Sequence, residues 1–141
     1  MNRRNRALLR TLAPIVLMVL IFYFSAQPAG AHHAWWVVAF RKLGHIAGYA
    51  LLTAAWAWAL QAVVKRPLLV AVCIALAYAC TDEFHQTFVR GRNGTPVDIG
   101  VDAIGIAIAA ALIHMRRPFL AQRGRAGASR GASRSSLARS P

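Results

Sequence analysis

The sequence predicts an all-α integral membrane protein: a four-helix bundle with both termini in the cytoplasm and a disordered basic C-terminal tail. Three observations carry this. The 141 residues are 57% hydrophobic, yet they hold 17 Lys and Arg against four acidic residues, for a net charge of +13. The apolar residues fall into four long blocks with almost no charge inside, at 7–26, 43–64, 68–80 and 97–115. The basic residues crowd into alternate connections between those blocks. A strongly basic chain suits nucleic acid or anionic lipid as a partner. Four apolar blocks point to lipid, and no nucleic-acid role is expected.

A membrane span needs roughly 20 apolar residues. The first block follows Arg3, Arg4, Arg6 and Arg10 and precedes Ala29-Gly30-Ala31. A basic start, an apolar run and small residues also describe a cleaved signal peptide. The bulky aromatics that end the run 15–24 favour an uncleaved span. Pro67 opens the third block, which is short alone. It reaches span length only by running through Thr81 to about Gln86, which puts Asp82 and Glu83 at membrane depth. The fourth block opens with Thr95-Pro96-Val97-Asp98, a Thr N-cap, a Pro at the first helical position and an acid three on.

Orientation follows from the basic residues. Arg3, Arg4, Arg6 and Arg10, then Lys65 and Arg66, then the seven Arg from Arg116 onward all fall on one side. Only Arg41, Lys42, Arg90 and Arg92 fall on the other. The positive-inside bias then places both termini in the cytoplasm and the connections 28–42 and 88–96 outside. Trp35, Trp36 and Phe40 sit just before the second span, as an interfacial aromatic belt does. His32 and His33 read as solvated loop residues. Cys73 and Cys80, seven apart, are too distant to bridge and read as small packing residues. Residues 1–115 form the membrane domain. Residues 116–141, rich in Arg, Ser, Gly and Ala without a hydrophobic period, form a tail held near anionic lipid.

All four acids lie between residues 82 and 102. Lys42, His45 and Tyr49 share a helix face by their i, i+3, i+7 spacing, and Gly44-x-x-x-Gly48 beside them permits close helix packing. Asp82 and Gln86 are one turn apart, with Glu83 beside them. Asp98 and Asp102 are one turn apart on the fourth span. The topology brings these residues, with Arg90 and Arg92, to one membrane level. Asp98 alone reads as a cap. Asp102 lies a turn deeper, where an unpaired carboxylate costs several kcal/mol. Arg92 is expected to pair with Asp82, Glu83 or Asp98.

These residues in this order resemble the VanZ-like family of teicoplanin-resistance membrane proteins. The matching pattern is Lys42, His45 and Tyr49, then Asp82, Glu83 and Gln86, then Gly91-Arg92 and Asp98, with Ser25 and Pro28 ending the first span. The resemblance covers about residues 15–115. The chain departs from the pattern at Arg90, where the family usually has Pro, and at Asp102, where it usually has Asn. The resemblance implies a small multi-pass protein of the bacterial inner membrane and supplies no agreed reaction.

The first functional expectation is therefore an outer-side ligand site made of Lys42, His45, Tyr49, Asp82, Glu83, Gln86, Arg92, Asp98 and Asp102. Its partners would be anionic lipid headgroups or cell-wall lipid precursors. Two other classes compete: an intramembrane enzyme using His45 with the Asp82, Glu83 and Asp98 carboxylates, and a proton- or ion-coupled carrier, which at four spans needs a homo-oligomer. Zinc-type Cys/His spacing and a Gly-rich phosphate loop are both missing from the sequence. No metal, cofactor or catalytic residue is assigned.

Overall fold

A computed structural model of the chain describes residues 3–28, 34–92 and 94–137, with side chains for 8–28, 34–92 and 94–116. Ala29-Gly30-Ala31, His32 and His33 lie outside the described residues. Four helices make up the regular structure: α1 Arg3–Ser25, α2 Trp35–Leu60, α3 Pro67–Gln86 and α4 Pro96–Leu137. Each contains a stretch long and apolar enough to cross a membrane: Leu8–Ser25, Trp35–Leu60, Pro67–Gln86 and Pro96–Arg116. At about 1.5 Å per residue, 20 residues cover about 30 Å of hydrocarbon. The third span does run to Gln86.

Two boundaries differ from expectation. α2 begins at Trp35, so Trp35, Trp36 and Phe40 lie on the helix rather than in the connection before it. The three aromatics are all exposed, which still suits a belt at an interface. The chain divides into two units, Met1–Ala110 and Ala111–Pro141. In the second, helix continues to Leu137, through a stretch whose composition predicts disorder. Ala, Arg, Gln and Leu there are good helix formers, opposed by several Gly and by Pro118.

In the first unit the helices pack through a narrow set of residues. α3 turns Ala71, Ala75 and Ala79 inward, one per turn and all fully buried. Tyr49, Leu52 and Ile106 complete the core with Ala75 and Ala79, and Leu17, Met18 and Ile21 of α1 pack against it. The Tyr78 hydroxyl donates to the Met18 carbonyl at 2.6 Å, tying α3 to α1. Leu51, Leu69, Leu76 and Ile104 face outward. In lipid, apolar burial supplies little association energy; close packing of small residues and interhelical hydrogen bonds supply more.

The close approach between α2 and α4 occurs at Gly105. A Cβ there would overlap the Ile46 carbonyl and its backbone. The Gly44-x-x-x-Gly48 pair does not play that part. A Cβ at Gly44 would meet nothing, and one at Gly48 would make ordinary contact with Ile21. Cys73 and Cys80 are likewise exposed rather than packed inside, because α3 gives its inner stripe to alanine.

Candidate functional site

The polar residues gather where α1 and α3 end and α2 and α4 begin. The inner stripe of α3 continues in register from Ala79, but its residue types change. Asp82, Glu83 and Gln86 occupy it and are buried at 2%, 4% and 6% exposure. The Ser25 hydroxyl, at the end of α1, donates to Asp82 Oδ1 at 2.5 Å. Gln86 Nε2 donates to Asp82 Oδ2 at 3.1 Å and to Glu83 Oε1 at 3.2 Å. The backbone N–H of Thr95 donates to Glu83 Oε2 at 3.3 Å. Each of the four carboxylate oxygens thus has a hydrogen-bond donor, as burial demands.

Arg92 does not pair with a carboxylate. Its Nη1 donates to Gln86 Oε1 at 3.0 Å, its Nε to the Gln27 carbonyl at 3.1 Å and its Nη2 to the Phe24 carbonyl at 3.2 Å. The guanidinium therefore caps the C-terminal end of α1, where free carbonyls and the helix dipole favour a cation. Gly91, at φ 76°, makes the turn before it; that backbone region suits glycine. Burial lowers the Arg92 pKa from its ordinary value, and the neighbouring Arg41 charge lowers it further, against the pull of Asp82, Glu83 and Asp98. Arg90, expected in the cluster, is exposed.

α2 and α4 meet through two acid–base contacts. Lys42 Nζ lies 3.1 Å from Asp98 Oδ1, both half-exposed. Asp98 also accepts from the Thr95 hydroxyl at 2.7 Å, while its own N–H donates to Thr95 Oγ at 3.3 Å. Thr95 thus caps α4 as the sequence predicts, but its own N–H goes to Glu83 rather than to Asp98, so the box is not reciprocal. One turn deeper, His45 Nδ1 lies 2.9 Å from Oδ1 of the fully buried Asp102. Asp102 Oδ2 and the Tyr49 hydroxyl are buried without a hydrogen-bond partner among the described residues. The Tyr49 ring stacks on that of His45 at 6.3 Å.

Two cavities adjoin this cluster. A polar one of about 70 Å³ is lined by Arg41, Lys42, His45, Glu83, Gln86, Arg92 and Asp98. An apolar one of about 330 Å³ runs between α1 and α2, past Leu17, Leu20, Phe24, Gly44 and Gly48. Arg41, His45 and Arg92 line both.

The VanZ/LLP1 family matches residues 11–117. The chain belongs to that family. No curated protein and no solved structure matches it. As a VanZ/LLP1 multi-pass membrane protein, it brings together eight of the nine residues singled out from its sequence in three bonded groups: Asp82, Glu83, Gln86 and Arg92, the pair Lys42–Asp98 and the pair His45–Asp102. Tyr49, the ninth, is fully buried against the His45 ring.

Sequence reasoning gave no role at the site to Ser25 or Arg41. Ser25 was visible only as a matching residue at the end of a span. Nothing in the spacing pattern marked Arg41, which lines both cavities. His85 packs its ring on Phe22 at 4.3 Å. An imidazole held by a buried carboxylate on one nitrogen is oriented to bind or exchange a proton at the other.

Proposed function

We propose that this protein binds an anionic lipid from the outer face of the bacterial inner membrane, with a phosphate in the polar cavity and a hydrocarbon chain in the apolar one. The observation that carries the reading is that a polar and an apolar cavity lie side by side and share the walls Arg41, His45 and Arg92. An amphiphile has that shape and that division of polarity. Arg41, Lys42, Arg92 and His45 supply the cationic wall, and guanidiniums suit phosphate oxygens by charge and geometry. Asp98 steadies Lys42, while Gln86 and the Phe24 and Gln27 carbonyls steady Arg92.

The ligand is a lipid-linked phosphate, either a phospholipid or a polyprenyl phosphate carrier of cell-wall units. Binding a carrier would connect the site to teicoplanin susceptibility, the property from which the family resemblance takes its meaning. The termini and the basic tail face the cytoplasm on this reading. Native mass spectrometry of the detergent-purified protein tests the ligand, offering phosphatidylglycerol, phosphatidylcholine and undecaprenyl phosphate in turn. Preferential retention of either anionic lipid supports the proposal and separates the two sources. Equal retention of phosphatidylcholine overturns it. A reporter fused after Arg117 that reads as external overturns the orientation alone.

A further inference from the structure

We propose that His45, Asp82 and Glu83 bind a first-row divalent metal ion, of the class of Mn²⁺ or Zn²⁺, beside the polar cavity that His45 and Glu83 line. A ring nitrogen of His45 and one carboxylate oxygen each from Asp82 and Glu83 lie within 4.8 Å of one another. Ligand bonds of about 2.0–2.2 Å place the donors of one ion roughly 3–4 Å apart, so small side-chain adjustments close the set. One imidazole nitrogen and two carboxylate oxygens suit these ions better than Ca²⁺, which takes oxygen ligands.

Three independent features support a cation there. First, each ligand has an outer partner of the kind that metal sites use. Asp102 takes Nδ1 of His45, which fixes the ring and leaves Nε2 for the metal. Ser25 and Gln86 hold Asp82, and Gln86 and the Thr95 N–H hold Glu83. Second, among the described residues no Lys or Arg nitrogen lies within salt-bridge distance of Asp82 or Glu83; the ion pairs are Lys42–Asp98 and His45–Asp102. Arg92 donates to neutral oxygens instead. Buried carboxylates without a direct ion-pair partner are costly, and a divalent ion supplies one. Third, the fully buried Tyr49 hydroxyl has no partner. Its ring lies against His45, and its charged neighbours are Asp82, Asp102 and Glu83. A filled site brings that hydroxyl a polar neighbour.

The site goes beyond the lipid reading and does not depend on it. The test uses the full chain in a phosphate-free detergent, stripped with a chelator and desalted. Mn²⁺ is titrated by loss of its free-ion electron paramagnetic resonance signal, and Zn²⁺ by elemental analysis after desalting. One ion per chain is expected for at least one metal. His45→Gln, which keeps a donor for Asp102, and the charge-removing Asp82→Asn and Glu83→Gln should each abolish stoichiometric binding. Asp102→Asn should weaken it by about 10- to 100-fold, the usual cost of an altered outer partner. Replacing His32 and His33 together should change nothing. Circular dichroism confirms that each variant is folded; if a ligand variant is not, the graded loss in Asp102→Asn decides. Absence of stoichiometric binding in the wild type overturns the proposal. So does binding that survives Asp102→Asn and the folded ligand variants unchanged, or binding that disappears with His32 and His33. Lipid retention is measured with chelator present, so the two readings fail separately.

Discussion

His45 Nδ1 lies 2.9 Å from Asp102 Oδ1, and this contact joins α2 to α4 one turn inside the end of the bundle. Asp102 has no exposed surface, and its second oxygen has no hydrogen-bond partner. Its buried polarity therefore rests on one imidazole. Breaking such a pair from one side leaves an uncompensated buried group, which typically costs about 3–5 kcal/mol. His45→Leu should accordingly lower the unfolding midpoint of the detergent-solubilised protein sharply. The double variant His45→Leu/Asp102→Leu should recover much of that loss, because it leaves no orphan. A double variant as unstable as the single one would show that the pair is not what the position needs.

Arg92 makes three hydrogen bonds in three directions, to Gln86 and to the Phe24 and Gln27 carbonyls. A lysine ammonium cannot reproduce that planar fork. Arg92→Lys is therefore expected to behave almost like Arg92→Ala. Each should lose about 1–3 kcal/mol, the scale of hydrogen bonds to a charged donor. Chemical unfolding of both variants in detergent checks this. A lysine variant close to wild type would mean that charge alone suffices to cap α1.

The helix-packing glycine is Gly105. Gly105→Ala pushes a methyl into the Ile46 backbone, which cannot rotate away. The cost should be about 1–3 kcal/mol of overpacking, and because α2 and α4 separate, the His45–Asp102 contact should suffer with it. Gly44→Ala meets open space and should leave the unfolding midpoint unchanged. Parallel thermal scans of the two variants in detergent would show the contrast, and equal midpoints would refute it.

That contrast shows why the fold was more legible than the site. Spans announce themselves by composition. Even the extension of α3 to Gln86 followed from length alone, since 68–80 cannot cross a bilayer. The face shared by Lys42, His45 and Tyr49, and the Thr95–Asp98 cap, followed from helical spacing. Pairing across helices did not, because spacing within one helix carries no information about its rotation against the next. Hence Arg92 was expected on an acid and sits on Gln86 and the Phe24 and Gln27 carbonyls. Gly44 and Gly48 were expected at a helix crossing and line a cavity instead. Arg90 carried the charge wanted at the site but lies outside it, while Arg41, one residue from Lys42, lines both cavities.

Arg41 and Lys42 also give the cleanest test of the anionic-lipid reading. Neither supports the bundle strongly. The Lys42–Asp98 contact is half-exposed, and ion pairs of that kind contribute about 0–1 kcal/mol. The side chain of Arg41 is absent from the side-chain hydrogen bonds and ion pairs that hold the described residues together. Its charge lies close enough to Arg92 to perturb it, so two guanidiniums repel one another beside one cavity until an anion lies between them. Arg41→Ala/Lys42→Ala should therefore reduce retention of the preferred anionic lipid by about tenfold or more, the equivalent of about 1.4 kcal/mol. The unfolding midpoint of the lipid-free protein should rise or stay the same, because the repulsion is relieved. Native mass spectrometry and a thermal scan on the same preparation read the two effects. Unchanged lipid retention would remove the cationic wall from the proposed site. A fall in retention matched by a fall in stability would make these residues structural.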